Sequence, residues 1–292
     1  MKSSIMNTQS KVWYITGASK GLGLNLVKQL LAAGIKVAAT SRNLAELETA
    51  VSTANENFLP LSVDLTNELS VQESINKTMA VFGQIDVVVN NAGYGLIGSL
   101  EELSDKESRA NFEVNVFGTL NVIRKVMPQL RKQQSGHIFN ISSIGGFAGN
   151  FPGFGIYCAT KFAVAGLSES LAAEVEPFGI NVTVVMPGYF RTNFLSSDSL
   201  NVAENEIDAY SAVRGLQKEH EHNINGNQNG DPEKAAAAII SIAEVEKPPL
   251  HLYLGKDAYD MADHKILTVQ NDMDLWEEIA TATAFDEELV TA

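Results

Sequence analysis

Short apolar runs alternate with longer segments of helical periodicity over the first two thirds of the chain. The runs at Val12–Thr16, Lys36–Thr40, Phe58–Asp64, Asp86–Asn90, His137–Ser142, Asn181–Met186 and His251–Leu254 read as strands. Several carry little internal polarity, which suits strands buried on both faces. Helical patterns fill the intervals near 22–33, 43–54, 67–82, 104–132, 156–176 and 232–244. This alternation predicts an α/β fold: a doubly wound parallel sheet of about seven strands, with helices on both faces and right-handed crossovers.

No internal repeat and no clean linker interrupts the rhythm. It predicts a single domain over 11–255, preceded by a tail at 1–10. Residues 193–230 are polar, rich in Asn, Ser and Glu, and broken by Gly226 and Gly230. A long irregular insertion of this kind serves as a lid or binding loop, or is only a mobile surface excursion; both readings stand. Asp231-Pro232-Glu233 reads as a helix start, with an Asp cap and Pro in the first helical position. Residues 256–292 form an acidic, mildly helical extension suited to packing or solvation.

Composition narrows the partners. The 292 residues carry a net charge of -14, and 45% are hydrophobic, enough for a sizeable core. An acidic surface repels phosphate backbones, so nucleic acid is not expected as a partner; a small anionic cofactor in a local basic pocket is compatible with it. Cys158 is the one cysteine, which excludes an intramolecular disulfide. Met1–Lys11 is polar, without the apolar core of a signal peptide, and no apolar run approaches the roughly 18 residues of a membrane span. A soluble cytoplasmic protein without a membrane partner is expected.

The first chemical signal follows the first strand: Thr16-Gly17-Ala18-Ser19-Lys20-Gly21-Leu22-Gly23, then a helix. Glycines there permit a tight turn and close approach of backbone to a pyrophosphate, and a helix N-terminus offers free amides. An NAD-type site places a carboxylate at the end of the second strand, on the ribose 2'-hydroxyl. Here that turn reads Thr40-Ser41-Arg42-Asn43. Arg42 together with Lys20 suits a 2'-phosphate, which predicts NADP(H) as the cofactor.

The second signal is Tyr157 and Lys161, one helical turn apart on the same face. A free phenol has a pKa of about 10, and a neighbouring ammonium favours its phenolate. Alone this spacing is common by chance. Its company changes the balance: Ser142-Ser143, Asn90-Asn91-Ala92-Gly93 and Pro187-Gly188 each end a predicted strand at the carboxyl edge, where doubly wound sheets bind ligands.

Over residues 11 to about 192, and more loosely 231–255, this constellation resembles the classical branch of the short-chain dehydrogenase/reductase family. The resemblance implies a Rossmann-like fold and hydride transfer between nicotinamide and an alcohol or carbonyl. It further implies that Ser143 polarises the substrate oxygen and that Tyr157 exchanges the proton. Lys161 binds the nicotinamide ribose and tunes Tyr157, while Asn115 holds a relay water. Asp64, with Leu65, meets the adenine; Asn91, Ala92 and Gly93 line the cofactor; and Pro187, Gly188 and Thr192 meet the carboxamide end. One departure is visible. Thirteen residues separate Ser143 from Tyr157, one more than the family's usual spacing, and the extra one falls in Gly145–Gly155. It leaves Ser142 and Ser143 as alternatives, with Ser143 expected because it follows the strand. The family also implies pairing of the helices at 104–132 and 156–176 in a homodimer or homotetramer.

Other features are set aside. His220-Glu221-His222 lacks nearby ligands and any His-Glu-x-x-His pattern, so no metal is expected and the run reads as solvated loop. Cys158, Trp13 and Trp276 read as packing residues. The substrate pocket is expected from segments 94–99, 145–155 and 193–225, with Leu96, Ile97, Phe147, Phe151, Phe154, Phe194 and Leu195 suiting a hydrophobic ketone or secondary alcohol. Two alternatives have distinct signatures. A non-catalytic NADP-binding sensor would keep the glycine loop and lose members of the tetrad. A nucleotide-sugar epimerase or dehydratase would need a larger segment beyond Thr192.

Overall fold

The computed structural model describes residues 11–52, 55–196 and 199–285. The predicted tail at 1–10, the last two residues of the helical pattern at 43–54 and the end of the extension at 286–292 lie outside the described residues. A parallel seven-stranded sheet has the order β3-β2-β1-β4-β6-β7-β9. Its strands are β1 (Val12–Ile15), β2 (Lys36–Ser41), β3 (Phe58–Ser62), β4 (Val87–Asn90), β6 (Gly136–Ile141), β7 (Ile180–Pro187) and β9 (His251–Leu254). The sheet is the doubly wound, Rossmann-like α/β arrangement, and all seven strand candidates belong to it.

Strand alternation explains the helices on both faces. Trp13 and Ile15, Val37 and Ala39, and Val87 and Val89 point to one side. There they meet Leu26 and Leu30 of α1 (Gly21–Ala32), Leu47 of α2 (Leu44–Val51) and Ile239 of α8 (Pro232–Ile242). Tyr14, Ala38 and Val88 point to the other side. Their neighbours are Val71 and Ile75 of α3 (Glu68–Phe82), Val122 and Val126 of α5 (Gly118–Gln133) and Leu171 of α6 (Gly155–Val175). Helix starts follow cap chemistry: Asn43, Asn67 and Asp231 each accept backbone N–H bonds at the heads of α2, α3 and α8.

Two segments differ from the sequence expectations. The pattern at 104–132 is not one helix. Ser104 caps α4 (Asp105–Phe112) with a capping box, a π-helical turn follows at Glu113–Phe117, and α5 continues. Segment 193–230 is not irregular. It holds β8 (Leu200–Val202), which pairs in parallel with β5 (Gly95–Ile97), then α7 (Ser211–Lys218) and a π-helical turn at Glu219–Ile224. Its polarity reflects an outer face: Val213 and Leu195 are buried beneath it, and Arg214 pairs with the shielded carboxylate of Glu102 at 2.8 Å. The C-terminal extension carries α9 (Lys256–Thr281), anchored by buried Ala258 and Ala262. Trp13 packs in the core as expected, whereas Trp276 on α9 is 56% exposed.

Candidate functional site

The chain runs outward from β1 through β2 and β3, then returns to β4 on β1's other side. Such a reversal leaves a crevice at the carboxyl ends of β1 and β4. A cavity of about 700 Å³ opens there. Its walls include the glycine loop, the ends of β2, β4, β6 and β7, the start of α6 and part of the 193–230 segment.

At one end the glycine loop lies against the end of β4. Gly17 has φ +64°, and a Cβ on it would meet Ala92 Cα at 2.8 Å. A Cβ on Gly23 would meet the Gly17 carbonyl oxygen at 2.5 Å. Side chains at either position would fill the cradle, so glycine is required. Asn91 braces this contact: its Nδ2 donates to the carbonyls of Thr16 and Gly17 at 3.0 and 2.9 Å. The first turn of α1 has no side-chain cap, which leaves its amides as anion donors. Gly17, Ser19, Lys20, Gly21, Leu22, Ser41, Arg42, Asp64, Leu65, Ala92 and Gly93 all line this end, and Gly23 lies buried beneath it.

Arg42 is exposed, and its charge reaches Tyr94, opposing the rise that burial imposes on that phenol. Glu46, in the first turn of α2, lines the same wall and accepts a bond from Ser19 Oγ at 3.3 Å. The sequence reading missed Glu46 because it sits beyond the strand-end turn where a carboxylate was sought. Asp64 Oδ1 is engaged locally, accepting from Thr66 N and Oγ1 at 2.9 and 2.7 Å.

The chemistry-bearing groups gather in the middle of the cavity. Helix α6 begins at Gly155, so its first turns present Tyr157 and Lys161 at the ends of β6 and β4. Both are at least nine-tenths buried. Burial raises the Tyr157 phenol well above its ordinary range, while its hydrogen-bonding interaction with Ser143 works the other way. Burial pushes the Lys161 ammonium down to about 8. Lys161 Nζ donates to the Ile141 carbonyl at 2.9 Å and lies 5.7 Å from the Tyr157 ring centre.

The two serines separate by geometry. Ser142 Oγ is buried and donates to the Lys161 main-chain carbonyl at 2.8 Å. Ser143 Oγ lines the cavity, interacts with Tyr157 and accepts from Gly145 N at 3.1 Å. Asn115 does not line the cavity. It sits at the centre of the π-helical turn, where it accepts from Tyr94 N at 3.0 Å and donates to Tyr94 O at 3.0 Å and Thr160 Oγ1 at 3.1 Å. The π turn thereby aims one asparagine at the backbone beside Gly93, a common use of such insertions.

At the far end Phe151, Phe154, Phe194 and Leu195 line the cavity as expected. Leu96, Ile97 and Phe147 do not; Leu96 and Ile97 are buried behind the wall, and Phe147 packs edge-on to Tyr253. Pro187, Gly188 and Thr192 line the β7 end. Cys158 also lines it, and burial raises its thiol to about 11. His220 corrects the sequence reading. It is only 7% exposed, lines the cavity and stands 5.0 Å from Phe154, ring centre to ring centre. Its polar neighbours in sequence concealed an inward-facing helical position.

The profile of the short chain dehydrogenase family matches residues 11–202. The 3-ketodihydrosphingosine reductase of Bacteroides thetaiotaomicron is 39% identical over 85% of this chain and 88% of its own length. The structure of a short-chain dehydrogenase from Streptomyces avermitilis aligns with a TM-score of 0.86 at 39% identity, covering 94% of this chain and all of that one. The structure of ElxO with NADP bound aligns with a TM-score of 0.68 at 29% identity, covering 83% of this chain and 96% of that one.

Proposed function

The chain belongs to the short-chain dehydrogenase family and is a nicotinamide-dependent oxidoreductase, and from that premise we propose that it is an NADP(H)-dependent reductase of hydrophobic ketones, or in reverse a dehydrogenase of secondary alcohols. The observation that carries this reading is the meeting of Ser143, Tyr157 and Lys161 at one cavity wall, with the glycine cradle beside them. When bound, the nicotinamide supplies or accepts the hydride.

The residues supply the proton and the position. Ser143 Oγ–H donates to the substrate oxygen. Tyr157, kept protonated by burial, donates its phenolic proton to that oxygen. Lys161, close to the ring, steadies the phenolate left behind. Asn115 holds the Gly93–Tyr94 backbone against which Lys161 packs. Ser41 stands where an NAD-type carboxylate would, and Arg42 and Lys20 offer cations for a 2'-phosphate. Aromatic side chains at the far end favour an apolar substrate body.

The test is a panel of ketones and alcohols with NADPH and NADH, followed at the nicotinamide absorbance. Turnover of apolar ketones with NADPH preferred is expected. NADPH binding without oxidation across the whole panel would favour a non-catalytic sensor. Pairing of two copies is part of the reading, since Phe117 and Phe162, on the π turn and on α6, are 44% and 43% exposed. Sedimentation at a dimer or tetramer mass checks it.

A further inference from the structure

His220, from the 193–230 segment, and Tyr189, just after β7, place a second polar pair in the cavity beside Ser143 and Tyr157. His220 Nδ1 lies 2.8 Å from the main-chain carbonyl of Leu216. A carbonyl oxygen only accepts, so Nδ1 carries the proton. In the neutral imidazole Nε2 is then an acceptor, and it lies 3.1 Å from the Tyr189 hydroxyl. Tyr189 therefore donates to His220. Burial, with Asp257 adding to it, raises the Tyr189 phenol, so that proton stays on oxygen at neutral pH. With its one proton committed, the Tyr189 oxygen turns only lone pairs outward.

Position gives this pair a use. Tyr189 follows Pro187-Gly188 at the end of β7, and its N–H is held by Asp257 Oδ2 at 2.6 Å. Phe154 packs near both the pair and the reactive phenol, 5.0 Å from His220 and 6.3 Å from Tyr157 between ring centres. Polar groups placed in an otherwise apolar pocket fix the orientation of a ligand.

We propose that Tyr189, oriented by His220, is a substrate-anchoring subsite that accepts a hydrogen bond from a second polar group of the substrate. The ligand class is a ketone, or the matching alcohol, whose apolar body carries a hydroxyl or an amine apart from the reacting carbon. His220 is a positioning residue acting through Tyr189. This subsite rests on the ketone-reductase reading and deepens it.

The test uses methyl nonyl ketone and two derivative series, one bearing a hydroxyl and one an amine, stepped one carbon at a time from the carbonyl. The readout is kcat/KM of each derivative over that of the parent ketone. Wild type should prefer a derivative by at least about tenfold at some position, and the favoured series identifies the donor. Tyr189→Phe keeps the ring and should bring that ratio to within about twofold of one. His220→Phe should do the same. His220→Gln keeps an acceptor for the Tyr189 hydroxyl and should retain more of the ratio. Thermal melts identify any variant that fails to fold, and Tyr189→Phe, which removes one oxygen, is the decisive one. A flat ratio in wild type, or one that survives Tyr189→Phe, overturns the subsite while turnover of the parent ketone upholds the reductase. Absence of turnover in every series overturns both.

Discussion

Ser142 Oγ donates to the main-chain carbonyl of Lys161 at 2.8 Å, tying the end of β6 to the second turn of α6. Its neighbour Ser143 instead faces the cavity and Tyr157. The two hydroxyls should therefore fail differently. Ser142→Ala is expected to cost about 1 kcal/mol of stability through the lost bond, with activity largely kept once folded. Ser143→Ala is expected to lower kcat about a hundredfold with little change in melting temperature. Paired melts and steady-state rates check this; a larger rate loss in Ser142→Ala would reverse the assignment.

Tyr157→Phe should lower turnover by about 10²–10⁴-fold, the usual contribution of a positioned proton donor. The ring still packs on Phe154 and Phe194. NADPH binding, followed by fluorescence titration, should be nearly intact. More than a tenth of the wild-type rate would remove Tyr157 from the proton-donor role.

Lys161→Met should abolish activity yet raise stability at neutral pH. The folded ammonium titrates near 8, below its ordinary value, because burial disfavours its charge. Below pH 8 the lysine is charged in both states, and the folded protein bears a penalty on the order of 3 kcal/mol. The lost bond to the Ile141 carbonyl offsets about 1 kcal/mol of the gain. Between pH 8 and the ordinary lysine value only the unfolded state stays protonated, so the penalty fades. The variant's advantage should therefore be largest below pH 8 and shrink above it. Chemical denaturation at stepped pH checks the sign, and an advantage that grows with pH would contradict it.

Cofactor choice should turn on two opposed charges at one wall. Ser41→Asp with Arg42→Ala is expected to erase a preference for NADPH of at least about tenfold, since one hydrogen bond to a charged group is worth about 1.5–3 kcal/mol. Glu46 accepts from Ser19 at the same end, and its carboxylate opposes a 2'-phosphate there. Glu46→Gln should lower the KM for NADPH several-fold and leave that for NADH nearly unchanged. Equal effects on both cofactors would place Glu46 outside the 2'-phosphate environment.

Arg214→Ala should loosen segment 199–218, which backs the cavity wall through Leu200 and Val202. Glu102 is shielded from solvent; burial alone would raise its carboxyl. Hydrogen bonds from Ile207 N and Ser99, with the Arg214 charge, hold it below the usual range. Removing the guanidinium leaves a buried carboxylate short of a partner, which typically costs about 3–5 kcal/mol. Faster hydrogen exchange in 199–218 and a raised substrate KM are expected. Unchanged exchange there would show that β8 and its neighbours hold the wall without the ion pair.

What the sequence determined by itself was whatever depends on local pattern. Uniformly apolar runs separated by helical periodicity specify a parallel sheet, because only strands covered on both faces lack polar alternation. All seven central strands were legible for that reason. So were Gly17 and Gly21, whose positive φ values of +64° and +57° need glycine at those turns, and the helix start at Asp231-Pro232. Tyr157 and Lys161 were legible because one helical turn fixes their shared face.

The tertiary structure decided what depends on which surfaces meet. Which of Ser142 and Ser143 faces the cavity waited on where α6 lies, since one hydroxyl meets the Lys161 carbonyl and its neighbour meets the cavity. Asn115 was named by resemblance, but where its side chain points depends on the π-helical turn, which a continuous helical period at 104–132 hides. Strands β5 and β8 are three residues each and lie about a hundred residues apart, too short for a period to register and paired only through the fold. His220 shows the limit most clearly. Its neighbours in sequence are polar because they face water, while its own ring faces Phe154 and Tyr189. Composition averages over both faces of a segment, and only packing tells them apart.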